Sequence, residues 1–153
     1  MNTAATRPFD RDTALRIARA FLPKHPLGNR WDYYYTLAKL RSDPLYPGVL
    51  QALRGSDGPV LGLGCGLGLL AHALRADGHH MAYRGVDNDA AKITRANKVA
   101  EKIALVDTRF DVVDPAGGPP AHQGSVAILD VLQYLDAQGQ RRVIAQVSAM
   151  FTP

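Results

Sequence analysis

The sequence is poor in cysteine, since Cys65 is the only one among 153 residues. A single cysteine excludes an intrachain disulfide and a cysteine-based metal cluster, and the five histidines do not follow the spacing of a zinc site. The chain lacks an apolar run of roughly 18 residues, the length of a membrane span. Its first ten residues, MNTAATRPFD, lack the apolar stretch of a signal peptide. We therefore expect no membrane segment, no metal and a cytoplasmic location.

Two nucleotide-binding patterns are absent from the most informative segment, residues 60–68 with the sequence VLGLGCGLG. The dinucleotide fingerprint G-x-G-x-x-G needs a third glycine where the chain has Leu67 or Leu69. A P-loop needs Gly-Lys-Ser/Thr, which does not follow. The segment instead has an apolar stretch, glycines at alternate positions (Gly64, Gly66 and Gly68) and a helix-forming run. This order predicts a strand, a tight turn and a helix whose N-terminal N–H groups can approach a polar ligand.

Basic residues are concentrated before this turn. Residues 1–54 carry nine Lys/Arg and four Asp, a net charge of +5. Residues 55–153 carry nine Lys/Arg and ten Asp/Glu, a net charge of −1, so the whole chain has a net charge of +4. A solvated helical face explains the basic excess. Attraction of an acidic substrate, an acyl carrier or RNA is the alternative.

Hydrophobic periodicity divides the chain at residue 55. Residues 1–55 are predicted to form a helical extension with helices over Asp10–Leu22, Trp31–Leu40 and Pro47–Leu53. In residues 56–153, strands over 60–63, 81–86, 107–113 and 126–129 alternate with helices over 67–76, 90–100 and 136–150. This alternation predicts an α/β fold, with a Rossmann-like, doubly wound and incomplete sheet of about four mainly parallel strands.

Two groups of side chains allow more than one interpretation. Trp31, Tyr33, Tyr34 and Tyr35 in the second predicted helix are expected to pack against other helices, and a lid over a ligand is the alternative. His72, in the helix after the glycine turn, is expected to lie at the surface.

Carboxylates follow three of the predicted strands: Asp87, Asp114 and Asp130. In parallel sheets, ligands bind beyond the carboxyl ends of the strands, where these acids and the glycine turn would meet. An ionised carboxylate only accepts hydrogen bonds and can accept two at once. Asp87 can therefore hold both hydroxyls of a ribose, and Asp114 can accept from an adenine amino group.

These segments together resemble the first half of the class I S-adenosylmethionine-dependent methyltransferases, over residues 56 to 151. VLGLGCGLG resembles motif I, and GVDND (residues 85–89), VVDP (112–115) and AILDVLQYL (127–135) resemble the segments after the next three strands. The resemblance implies S-adenosylmethionine as cofactor and S-adenosylhomocysteine as product, and it assigns no catalytic residue. The cofactor-binding positions that it implies are Gly62, Gly64, Cys65, Gly66, Gly68, Asp87, Asn88, Asp114, Pro115, Leu129 and Asp130.

The chain departs from the family pattern at two places. The family usually has an acidic residue at the position of Gly62, and a glycine there costs the strand roughly 0.5–1 kcal/mol. In the family a Gly-Gly turn and three further strands normally follow, whereas only three residues follow Met150 here. We therefore expect a fragment that can lack activity by itself, with its fourth strand left as an open sheet edge where self-association can occur.

The functional interpretation is a methyltransferase (EC 2.1.1 class) acting on a small-molecule acceptor. The chain has no Asn/Asp-Pro-Pro-Tyr after the fourth strand, the family signature for methylating amino groups of bases and glutamines. The alternatives are an RNA methyltransferase, which the basic N-terminal third favours, and a cofactor-binding or interaction module without catalysis.

Overall fold

The computed structural model describes residues 8–114 and 117–150. It divides into two compact units. Of the described residues, the first unit comprises 8–55 together with His72–His79, and the second comprises Ser56–Ala71 and those from His80 onward.

The first unit is helical. It contains helix α1 (Arg11–Arg19), helix α2 (Trp31–Ser42) and helix α3 (Leu45–Ala52). Helix α1 begins where it does because the Asp10 side chain accepts a hydrogen bond from the Thr13 backbone N–H at 3.0 Å, which caps the first turn. Helices α1 and α2 pack together. The buried apolar side chains of these helices and the segments that join them include Ala14, Ile17, Ala18, Phe21, Leu40, Tyr46 and Leu50.

The second unit is built on a sheet of four parallel strands: β1 (Val60–Leu63), β2 (Tyr83–Asp87), β3 (Thr108–Val112) and β4 (Ser125–Ile128). This unit also contains helix α5 (Ala90–Lys102), helix α6 (Ala137–Ala149) and a 3-10 helix over Leu132–Tyr134, and helix α4 (Leu69–Ala76) begins in it and continues into the first unit at His72. The strand order is β3-β2-β1-β4. The chain therefore proceeds from β1 in one direction and returns to the other side of β1 for β4, which makes the end of β1 the topological switch point where such sheets bind ligands.

Strand alternation gives the sheet two different faces. One face carries Leu61, Leu63 and Val86, and the half-buried Val143 and Val147 of α6 pack against this cluster. On the opposite face, Gly62 pairs in register with Gly85, and Gly85 pairs with Phe110. Helix α5 packs against β2 and β3, and the Asn97 side chain donates a hydrogen bond to the Phe110 carbonyl at 3.0 Å.

The predicted α/β fold with a Rossmann-like, parallel, four-stranded sheet is confirmed. Three helices precede the first strand. The 3-10 helix was not predicted from the sequence. Among the described residues, no helix has both the length and the apolar character needed to cross a membrane.

Candidate functional site

The glycine turn after β1 requires its glycines. Gly64, Gly66 and Gly68 have φ angles of +67°, +54° and +79°, which side chains with a Cβ rarely adopt. The Gly68 N–H donates to the Cys65 carbonyl at 2.9 Å, and helix α4 begins at the next residue. The alternating glycine pattern thus corresponds to three left-handed residues within one tight turn.

The space around these glycines differs. A Cβ on Gly64 would overlap Val131 beyond the end of β4, and a Cβ on Gly68 would overlap the Phe110 ring on β3. A Cβ on Gly66 would meet nothing within 4 Å. The turn is therefore packed at both ends and open in its middle, where a ligand can approach the backbone.

Asp87 links the end of β2 to this turn. Its Oδ2 accepts a hydrogen bond from the Gly66 backbone N–H at 2.9 Å, and its Oδ1 accepts from the Asp89 N–H at 2.9 Å. Each carboxylate oxygen has a second lone pair. Asp87 can therefore fix the turn and still accept hydrogen bonds from a ligand.

The two residues after Asp87 have different surroundings. Asn88 is exposed at the end of β2, as a residue lying against a ligand ring would have to be. The Asp89 carboxylate caps helix α5 by accepting from the N–H groups of Ala91 and Lys92, each at 3.1 Å. Asp89 is therefore the N-cap residue of helix α5.

Asp114 follows β3 at the same edge of the sheet. The Val113 N–H donates to the Asp87 carbonyl at 3.0 Å. Asp114 is therefore the first residue after this hydrogen bond between the ends of β2 and β3. Asp114 is exposed, and its carbonyl accepts from the Gly117 N–H at 3.1 Å. Pro115, also a predicted cofactor-binding position, lies outside the described residues.

The segment after β4 approaches the glycine turn from the other side. Leu129 and Asp130 are half-buried, and Asp130 has a φ of +56°, a left-handed conformation that aspartate tolerates better than most residues. The Leu129 carbonyl oxygen lies 3.7 Å from the position of a Cβ on Gly64. Sequence reasoning did not single out Val131, and its only signal was its place within AILDVLQYL.

Cys65 lies within the turn but is directed to the neighbouring strand. A Cβ on Gly85 would lie 2.8 Å from its Sγ. Burial raises the pKa of the Cys65 thiol to about 12, and the negative charge of Asp87 adds to this shift. A thiol with this pKa stays protonated near neutral pH, which disfavours nucleophilic attack by Cys65.

Gly62 is not an empty position in the sheet. A Cβ there would overlap the hydroxyl of Tyr83, whose side chain is only 3% exposed. In the strand register Tyr83 lies opposite Val60, and Gly62 lies opposite Gly85. The Tyr83 ring therefore extends along the sheet to reach Gly62, two residues beyond its own partner. The space that the family's acidic side chain would need is therefore filled from β2.

Other polar groups are less suited to a site. No cluster of three metal-ligating side chains occurs in residues 8–114 and 117–150. A cavity of about 330 Å³ is lined by residues of α1, among them Arg16 and Arg19, and by no predicted site residue. The expectation that His72 is a surface residue was wrong, because its side chain is 4% exposed and packs against Phe21 at 5.2 Å between ring centres.

Comparison with known proteins identifies the fold. No protein-family model and no curated protein matches the chain. The glycopeptide N-methyltransferase MtfA, solved with sinefungin, is similar with a TM-score of 0.59 and 20% identity over 71% of this chain and 45% of its own. Coclaurine N-methyltransferase, bound to N-methylheliamine and S-adenosylhomocysteine (SAH), gives a TM-score of 0.60 and 11% identity over 99% of this chain and 44% of its own.

A third similar structure is an S-adenosylmethionine-dependent methyltransferase from Clostridium acetobutylicum ATCC 824, with a TM-score of 0.58 and 17% identity over 69% of this chain and 44% of its own. The chain adopts the fold of class I S-adenosylmethionine-dependent methyltransferases. It spans between about a quarter and a half of the length of the solved structures it matches.

Proposed function

We propose that this chain binds S-adenosylmethionine at the glycine turn and supplies the cofactor-binding part of a methyltransferase. The observation that carries the proposal is the combination at Gly66, where the N–H is held by Asp87 and the space above the Cα is open. Similar structures contain SAH or sinefungin, a ligand of the same class, within the same fold. A turn that is shaped by its neighbours and open at one glycine fits a ligand that lies against the backbone.

The residues divide between the parts of the cofactor. Asp87 would accept hydrogen bonds from the ribose hydroxyls through the lone pairs that its backbone bonds leave free. Asn88 and Asp114, with Pro115, would border the adenine, and Gly64, Gly66 and Gly68 would admit the methionine part. Leu129 and Asp130 would line the side where the methyl group is transferred. The cofactor supplies the methyl group on a sulfonium leaving group, and the protein's task is to align the acceptor with it.

The proposed acceptor is a small molecule. Two of the similar structures are named for the N-methylation of a glycopeptide and of coclaurine, and the chain lacks the Asn/Asp-Pro-Pro-Tyr signature. RNA is the second candidate, because residues 1–54 carry nine basic and four acidic side chains. Incubating the chain with cell extract and S-adenosylmethionine labelled at the methyl group tests this choice. Label in the low-mass fraction supports a small molecule, and label in the RNA fraction supports the second candidate.

Cofactor binding is tested with a matched pair of glycine variants. Gly66→Ala and Gly78→Ala both place a side chain at a left-handed glycine, with φ of +54° and +82°, and neither new Cβ meets an atom within 4 Å. Each should therefore cost about 1–2 kcal/mol of stability. We expect only Gly66→Ala to weaken SAH binding measured by isothermal titration calorimetry, by tenfold or more.

Two outcomes would contradict the proposal. One is that the folded wild-type chain gives no binding heat with SAH. The other is that Gly66→Ala binds SAH as tightly as Gly78→Ala, because the open space would then not be the cofactor's. Binding of SAH without methyl transfer by this chain fits both the cofactor-binding part of a longer methyltransferase and a non-catalytic cofactor-binding module.

A further inference from the structure

Helix α2 presents an aromatic face to solvent. Trp31, Tyr34 and Tyr35 occupy positions i, i+3 and i+4, which lie on one side of a helix. Their exposures are 70%, 59% and 43%. The expectation that these rings pack against other helices was therefore wrong for these three residues. Large amphipathic rings exposed together on one face mark an interaction surface.

Positive charge flanks this face, and its exposed charged side chains are basic. Arg41, near the end of the helix, is exposed on the same side as the rings. Arg30, the residue just before the helix, is also exposed, and its Nη2 donates to the Pro26 carbonyl at 3.3 Å. The two acids of this region are less exposed than the rings. Asp32 is half-buried at the border of the face, about 60° around the helix from Tyr35, and the half-buried Asp43 forms an ion pair with Lys39 at 3.0 Å.

The size of the face helps to choose its partner. A helix of 12 residues is about 18 Å long and about 10 Å wide, so one face offers on the order of 200 Å². A stable protein interface needs about 800 Å² from each partner. A single nucleic-acid strand needs only a row of ring faces for its bases and cations for its phosphates.

We propose that the exposed face of α2 binds single-stranded nucleic acid, with bases stacking on Trp31, Tyr34 and Tyr35 and phosphates paired with Arg30 and Arg41. This inference depends on neither cofactor binding nor methyl transfer. The surplus of five positive charges in residues 1–54 adds long-range attraction for the strand. Because the contacts are to base faces and phosphates, little sequence preference is expected.

The chain contains its own reporter for this interaction. Trp31 is the only tryptophan, so the intrinsic tryptophan fluorescence comes from the proposed surface. We expect a 12-nucleotide oligouridylate to quench this fluorescence saturably. If Arg30 and Arg41 each neutralise one phosphate, raising the salt from 50 to 200 mM should weaken binding about sevenfold.

Matched variants separate stacking from general charge attraction. Tyr34→Ala and Tyr35→Ala should each weaken binding at least about fivefold, since stacking on one ring is lost. Tyr134→Ala removes a tyrosine that is 80% exposed on the 3-10 helix and should leave binding unchanged. Arg41→Gln should lower both the affinity and the salt dependence, whereas Arg141→Gln, on the exposed side of α6, should not. Circular dichroism verifies that each variant is folded.

Several results would overturn the inference. One is the absence of quenching by oligouridylate at 50 mM salt. The others are that polyphosphate, which has no bases, quenches as strongly as oligouridylate, and that Tyr34→Ala and Tyr35→Ala bind oligouridylate with wild-type affinity. Equal binding of polyglutamate with the same dependence on the tyrosines would identify an acidic protein as the partner instead. SAH titration of the same samples is independent of these results, so failure here and failure of cofactor binding are distinguishable.

Discussion

The Tyr83 side chain restricts which residues can occupy the strand that leads into the glycine turn. It lies over Gly62 and contacts Phe110 edge-on, with 6.1 Å between the ring centres. Phe110 in turn lies over Gly85 and Gly68. The two aromatic rings and three glycines therefore form one interlocked layer, and a change at one member must be accommodated by the others.

Introducing an acidic residue at position 62 should consequently destabilise the protein. Gly62→Asp would force a side chain into the space of a buried tyrosine, and overpacking of this kind costs about 1–3 kcal/mol. In the double variant Gly62→Asp/Tyr83→Val the space is free, so urea unfolding should show a loss smaller than the sum of the single changes. Gly48→Asp, where a Cβ would meet no atom within 4 Å, is the control. Additive losses would contradict the proposed overlap.

His72 is a second residue with a measurable signature. It is buried, and its Nε2 has no hydrogen-bond partner in the described part of the chain. Burial lowers the pKa of His72 from 6.5 to about 4. His72 is therefore harder to protonate in the folded state than in the unfolded state. Lowering the pH consequently favours the unfolded state.

The direction of the pH effect follows from this shift. The stability that the protein gains from keeping His72 neutral is fully present above about pH 6.5, and it is lost as the pH falls towards 4. A shift of this size corresponds to about 3 kcal/mol. We expect wild type to lose stability relative to His72→Leu between pH 7 and pH 4.5 in urea unfolding experiments. His80→Leu changes an exposed histidine and should run parallel to wild type. Parallel curves for all three proteins would contradict the prediction.

At the scale of elements, the sheet is unevenly covered. All four residues of β1 are buried, whereas all four of β4 are half-buried and α6 has no buried residue. Helix α6 depends more on its ends: the Asp136 carboxylate accepts from the Gly139 N–H at 2.7 Å, and the Gln140 side chain donates to the Leu132 carbonyl at 2.8 Å. Local opening is therefore easiest at this side of the sheet.

Hydrogen exchange should show this gradient. We expect the amides of α6 to exchange about tenfold or more faster than those of α5, whose Ile93, Ala96 and Ala100 are buried. Asp136→Ala removes a helix cap worth about 1 kcal/mol and should speed exchange in α6 alone. Asp89→Ala, the matched change at the cap of α5, should affect α5. Equal protection of the two helices in wild type would refute the gradient.

The sequence predicts elements well where packing and local signals agree. The bounds of β1, Val60–Leu63, were predicted as they occur, because an apolar run ends at glycines that only a turn accommodates. Helix α1 was expected to continue to Leu22 but ends at Arg19, since the next residues form tighter turns with Ala20 N–H donating to the Ile17 carbonyl at 3.1 Å. Such short-range competition is not visible in hydrophobic periodicity.

The contacts of the site were harder to predict than its members. The carboxylate at the end of β2 was predicted as a ligand for a ribose, but its bond to the Gly66 N–H depends on how two strands pair. The same holds for Tyr83 over Gly62, which requires the register Val60 to Tyr83. Sequence patterns identify which residues follow each strand, and only the register identifies which of them touch.

At the scale of the whole molecule, the sheet has an open edge. In the described residues β4 pairs with β1 alone. The Ser125 N–H donates to the Pro59 carbonyl at 3.0 Å, so alternation directs the Val126 N–H away from β1. An uncharged edge strand of this kind can pair with a second chain.

We therefore expect the chain to self-associate, with a weight-average sedimentation coefficient that rises with concentration. Val126→Pro removes the outward donor while leaving the Ser125 bond in place, and it should shift the protein towards the monomer. Circular dichroism verifies that the variant is folded. A single monomeric species across the concentration range in wild type would contradict this prediction.

The placement of β1 between β2 and β4 also sets an order of assembly. During synthesis the central strand β1 can pair with β2, and β2 with β3, before β4 is available, because β2 and β3 emerge from the ribosome earlier. Its second neighbour, residues 125–128, arrives last, and the Val131 methyl that covers Gly64 arrives after that. The glycine turn reaches its final shape only then, so a nascent chain halted before residue 125 leaves Leu61 and Leu63 without the apolar side chains of β4 and α6 that cover them in the complete fold.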